Sequence, residues 1–154
     1  MNPTMKTVRR IYLDVCCLNR PFDDQKQHRV HMESEAVLTI LAEIQRNEHL
    51  LIASEALQDE VAENPDGERR HKVRDALRLA TYDIKVESAV MARAEELGKL
   101  GLGAYDALHI ACAEAANADV LLTTDDDFIR KVRRTKATRV KVCNPLGWIA
   151  ARSV

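Results

Sequence analysis

Five short apolar runs, at residues 10–14 (RIYLD), 50–54 (LLIAS), 83–86 (DIKV), 119–123 (DVLLT) and 140–143 (VKVC), alternate with longer stretches of helical spacing. That alternation predicts strands linked by helices, an α/β fold with a central parallel sheet and helices on both faces. Helices are expected at 30–46, where Val30, Val37, Leu38, Leu41 and Ile44 recur at helical spacing, and at 68–79, 87–100, 104–118 and 128–135. A short helix after Ser54 and another from Pro145 complete the pattern. Residues 19–24, punctuated by Pro21, read as a loop, and Asn64-Pro65-Asp66-Gly67 reads as a turn.

The 154 residues suit a single domain spanning 1–154. No apolar run nears the roughly 20 residues that cross a bilayer, and the polar, basic start has no secretory core behind it, so a cytoplasmic protein with no membrane partner is expected. No CxxC pair occurs among the four cysteines, and Cys112 and Cys143 are expected to be buried. Glycine-rich phosphate loops are absent.

Ligands bind open parallel sheets outside the carboxyl ends of the strands. Asp14 and Asp125 stand at such ends, Asp106 falls in the first turn of the helix before the fourth strand, and Glu60 lies in the helix after the second. Each has an ordinary explanation alone: a helix dipole for Asp106, a cap for Asp125, the surface for Glu60. Four acids from separate segments meeting at one end of a sheet are different, because gathered carboxylates repel until a cation neutralises them. An oxygen-rich site without thiolates suits Mg2+ or Mn2+, and phosphodiester hydrolysis is the chemistry such an ion supports. The histidines show no zinc spacing. His109 reads as a satisfied core residue ahead of a partner for Asp106, while His49 and His71 read as exposed. Net charge is −1, yet residues 130–141 (RKVRRTKATRVK) contain no acid, which leaves one basic patch for phosphates.

The segments IYLDVCCLNRPFDD, SEALQDEVAENP and YDALHIACAEAANADVLLTTDDDF together resemble the PIN domain, in particular the single-domain VapC-like proteins. The resemblance implies an α/β/α sandwich and a Mg2+- or Mn2+-dependent ribonuclease, often a homodimeric toxin neutralised by an antitoxin protein. It matches Asp14, Glu60, Asp106 and Asp125 to the catalytic acids, with Asp127 as a secondary metal acid and Glu55 competing with Glu60. Thr124 matches a hydroxyl residue before the fourth acid. Arg20, Arg130, Lys131, Arg133 and Arg134 are expected to meet RNA phosphates. Cys16 departs from the small polar residue, often Asn, usual two positions after the first acid. It favours the competing reading, a non-catalytic module that binds RNA or protein.

Overall fold

The computed structural model describes residues 7–152. Five strands form one wholly parallel sheet: β1 (Arg10–Leu13), β2 (Leu50–Ser54), β3 (Tyr82–Ile84), β4 (Val120–Leu122) and β5 (Lys141–Cys143), in the order β3-β2-β1-β4-β5. β1, β2 and β4 are apolar almost throughout because both their faces are covered. The edge strands differ: Asp83 and Lys141 sit exposed mid-strand and at the strand start, charges that discourage further pairing.

The helices are α1 (Val15–Asn19), α2 (His28–Gln45), α3 (Glu55–Ala62), α4 (Gly67–Leu77), α5 (Ser88–Gly98), α6 (Ala104–Ala115), α7 (Asp126–Thr135) and α8 (Pro145–Arg152), with a 3-10 turn at Arg20–Phe22. With this strand order, the right-handed rule for parallel crossovers puts α2 and α4 on one face of the sheet and α5, α6 and α7 on the other, the three layers expected. α8 returns to pack on α2, and α5 packs on α6. A single apolar cluster runs through both interfaces, with Ile11, Leu13, Ile40, Leu51, Leu57, Ile110, Leu121 and Phe128 among its fully enclosed members. Burying each such side chain contributes about 1.5–3 kcal/mol before entropy is counted. No helix among the described residues is long and apolar enough to cross a membrane.

Several local expectations are corrected. After β1 the chain enters α1 at once, and that helix takes in Asn19 from the expected loop; the Asp14 side chain accepts from the Val15 N–H and starts the turn. Residues 20–22 are 3-10 rather than irregular, with Pro21 among the first positions. β3 ends at Ile84, and the Val86 N–H is taken instead by Glu55 Oε1 at 2.9 Å. α7 starts two residues early because Asp125 caps it. His49 is buried rather than exposed: its Nδ1 accepts from the Arg9 N–H at 3.1 Å, and its ring meets Trp148 edge-on. Cys112 is buried but Cys143 only half so, and all four cysteines are free.

Candidate active site

The order of the strands reverses direction between β1 and β4, so a crevice opens at their carboxyl ends. Asp14 leaves β1 there, and Thr123, Thr124 and Asp125 leave β4 beside it; the Asp14 N–H donates to Leu122 O at 3.0 Å. Asp14 is nearly enclosed and held from three sides. Its Oδ1 accepts from the Val15 N–H at 2.9 Å, while Oδ2 accepts the Thr123 hydroxyl at 2.8 Å and the Cys16 thiol at 3.4 Å. Cys16 Sγ in turn accepts the Thr124 N–H at 3.3 Å. The unusual thiol therefore ties the end of β4 to the first acid. The hydroxyl that meets Asp14 belongs to Thr123; Thr124 engages its surroundings through its backbone, its carbonyl accepting from Arg29.

Glu60 reaches the crevice from α3, whose start is fixed by Ser54 accepting from the Leu57 N–H. Its Oε1 lies 2.6 Å from His109 Nε2, and that nitrogen is 3.8 Å from Asp14 Oδ1. Behind the imidazole, Nδ1 is 2.7 Å from the Tyr12 hydroxyl, which is 2.7 Å from Ser54 Oγ. Tyr105 stacks on the same ring and Tyr12 meets it edge-on. His109 is thus buried and satisfied, as its apolar neighbours suggest, but its polar partners are Glu60 and Tyr12 rather than Asp106. Asp14, Glu60 and His109 each present a donor atom within 4.8 Å of the others, a spacing that could hold a metal ion. Glu55, the competing acid, is committed to the Val86 backbone.

Asp106 stands in the first turn of α6. Its carboxyl is pushed up to about 6, chiefly by burial, then by the charges of Asp14 and Asp125, with His109 pulling the other way and Glu60 adding to the rise. Asp125 is exposed and caps α7, its Oδ1 accepting from the N–H groups of Asp127 and Phe128. Asp14, Glu60, Asp106 and Asp125 therefore share one electrostatic neighbourhood. Asp127 lies outside it, exposed on α7 and paired with Arg130 and with Lys131 at 3.1 Å, cations that hold its carboxyl below the usual range.

The raised Asp106 carboxyl has a measurable consequence. The folded-state value for Asp106 lies above that of an unfolded aspartate, about 3.9, so neutral Asp106 favours the metal-free fold at low pH and that contribution is lost as pH rises through about 6. By calorimetry without metal, wild type is expected to lose stability relative to Asp106→Asn between about pH 4.5 and 7. Parallel curves for the two proteins across that window would show that ionising Asp106 costs the metal-free fold nothing.

Arg20 is not free for substrate: it pairs with Glu33 at 2.9 Å and Asp23 at 3.0 Å. Arg133 and Arg134 are exposed on α7 with no ionic partner among the described residues. Glu33, buried on α2, escaped sequence reasoning, as did Thr123 and Tyr12, while Ser54 was read only as the cap of α3, which it is, and not as a partner of Tyr12. Of the three missed, Tyr12 alone left a signal, standing two residues before Asp14 and so facing the same side.

No curated protein matches the chain. Among solved structures, FitAcB from Neisseria gonorrhoeae is similar at TM-score 0.57 and 18% identity, over 88% of this chain and 97% of that one. VapBC2 from Rickettsia felis, bound to a DNA fragment from their promoter, is similar at TM-score 0.53 and 15% identity, with the same coverage. These likenesses concern the fold. The PIN domain model matches residues 11–134, well over half of the chain, with β1 at its start and α7 at its end. The chain belongs to the PIN domain family.

Proposed function

We propose that the protein is a metal-dependent endoribonuclease acting at the crevice between β1 and β4. The observation that carries the reading is the cluster at the crevice: Asp14, Glu60 and His109 present donor atoms within 4.8 Å of one another, and burial, with the charges of Asp14, Asp125 and Glu60 added, pushes the Asp106 carboxyl up to about 6. The site's oxygen donors suit Mg2+ or Mn2+, with Asp14, Asp106 and Asp125 as the holding acids. A bound divalent ion supplies a Lewis acid for the scissile phosphate and lowers the pKa of water.

The chain's own residues do the rest. Thr123 and Cys16 fix the rotamer of Asp14, so its carboxylate needs little reordering. His109, locked by Tyr12, holds Glu60 toward Asp14, where Glu60 completes the acid ring and orients water. Cys16 makes bonds that a small polar side chain would make, which weakens the case for a non-catalytic module. Arg130, Lys131, Arg133 and Arg134 supply phosphate contacts, and Asp127 tunes Arg130 and Lys131 rather than the metal.

The toxin role and an antitoxin partner are proposed on the family resemblance, supported by solved neighbours that are the FitAcB and VapBC2 assemblies. A homodimer is proposed on the same resemblance. His109→Ala and Glu60→Gln are each expected to lower RNA cleavage in Mn2+ by roughly 10- to 100-fold, as loss of outer-shell partners does, while Glu55→Gln leaves it near wild type. Equal losses for Glu55→Gln and Glu60→Gln, with both proteins folded, would sink the assignment of the second acid.

A further inference from the structure

A groove of about 780 Å³ runs between α7, the edge strand β5 and α8. One end is formed by Asp126 and Asn144, which follow Asp125 and β5 at the acid-bearing edge of the sheet. The other end reaches Lys141 at the start of β5, roughly 10 Å away along the strand. Arg130, Arg133, Arg134 and Lys141 line it against one acid, Asp126, whose carboxylate is already held by two Arg29 nitrogens at 2.8 Å. Arg133, Arg134 and Lys141 have no ionic partner among the described residues. The last turn of α7 favours cations by its dipole, which accounts for Arg133 and Arg134 but not for Lys141 on the strand facing the same hollow.

Trp148, the only tryptophan of the chain, lines this groove. Arg152 lies over its ring at 5.0 Å and His49 meets it edge-on, so the indole is held while part of it stays open. Gly147 and Ala151 beside it add little bulk. Unpaired cations along a hollow with a fixed aromatic on its wall suit a single-stranded nucleic acid, phosphates on the cations and a base against the ring. A duplex keeps its bases stacked, and an acidic peptide offers the indole no base to stack. We infer that the groove between α7, β5 and α8 carries a single-stranded RNA flank of the cleaved segment, with one base against Trp148. The inference rests on the ribonuclease reading for the identity of the polymer.

Trp148 lines both this groove and a neighbouring hollow that holds Glu43, His49 and Arg152, so its emission is read beside the Arg133 and Arg134 variant, whose side chains line this groove alone. The full chain, titrated in EDTA with a single-stranded oligoribonucleotide of about eight nucleotides, is expected to show quenched or shifted emission. The affinity should fall with salt at a log–log slope of about −2, for three phosphates neutralised. The Arg133→Ala/Arg134→Ala double variant should bind roughly tenfold more weakly, with a slope smaller by about 1.4. Trp148→Phe, followed by anisotropy of a labelled oligonucleotide, should keep most of the affinity, whereas Trp148→Ala should lose about 5- to 150-fold. Binding that leaves Trp148 emission unmoved, or an undiminished double variant, would overturn the inference. So would polyglutamate that shifts the emission where the oligoribonucleotide does not. Because EDTA removes the cleavage step, a missing nuclease activity would defeat the ribonuclease reading separately and would leave the binding measured at the groove unaffected.

Discussion

Replacing Asp106 by Asn is expected to abolish RNA cleavage while leaving the metal-free protein as stable as wild type or more so. The two effects have one cause. Asp106 is half-buried and within the field of Asp14 and Asp125, so its negative charge costs the apo fold and its carboxyl is pushed up to about 6. The neutral amide removes that cost. It also removes one holding acid, and the several kcal/mol of transition-state stabilisation that a well-held ion supplies correspond to a loss on the order of a thousandfold. A third readout separates ligand loss from misfolding. Saturating Mn2+ at about 100 times its Kd should stabilise wild type by about 2.7 kcal/mol, a rise of several degrees in Tm, and the variant far less. An inactive variant that Mn2+ still stabilises fully would place the ion elsewhere.

Replacing Glu33 by Ala is expected to cost more stability than any other single carboxylate change. Glu33 is 1% exposed, yet it accepts from Arg20 at 2.9 Å, Arg29 at 3.2 Å and Asn144 Nδ2 at 2.5 Å. Those partners come from the 3-10 turn, from α2 itself and from the segment after β5. Arg29 also grips Asp126 and the Thr124 carbonyl, so Glu33 indirectly braces the start of α7 where Asp125 sits. Removing the acid leaves Arg20 only Asp23 and Arg29 only Asp126 as ionic partners, takes the acceptor from the Asn144 amide, and empties a buried charged hub whose loss costs about 3–5 kcal/mol. For a domain of this size Tm should fall on the order of 10 °C, with Glu33→Gln losing less because it keeps acceptors. A Tm for Glu33→Ala within a degree or two of wild type would show that the hub holds nothing together.

These two residues also mark where the sequence is legible. Asp106 drew attention because its helix, AYDALHIACAEA, is apolar and leads into β4, and because the strand-end acids Asp14 and Asp125 have a known destination in parallel sheets. The central strands were readable because apolar runs such as VLL and LLIAS have no solvent face to disguise them, whereas the edge strand β3, with Asp83 exposed, runs 82–84 instead of the 83–86 its sequence suggests. Glu33 could not be read. In HRVHMESEAV it looks like any solvated acid on an amphipathic helix, and its burial depends on partners supplied by other segments. His109 falls between these cases. Its apolar neighbours announced burial, but the bonds to Tyr12 and Glu60 join residues 97 and 49 positions apart and are set only by the packing of α6 against the sheet and α3. The choice between Glu55 and Glu60 had the same character: both lie on α3, and only the fold sends one to the Val86 backbone and the other to His109.

The measurement that bears most directly on the acid crevice is cleavage of a mixed RNA pool by purified, partner-free protein in Mn2+, Mg2+ or EDTA, run beside Asp14→Asn. Fragments that form with metal, fail to form in EDTA and vanish in the Asp14→Asn protein are the expected result. Intact RNA under every metal, from protein shown to be folded, or cleavage that survives Asp14→Asn, would contradict a metal-dependent ribonuclease at this site.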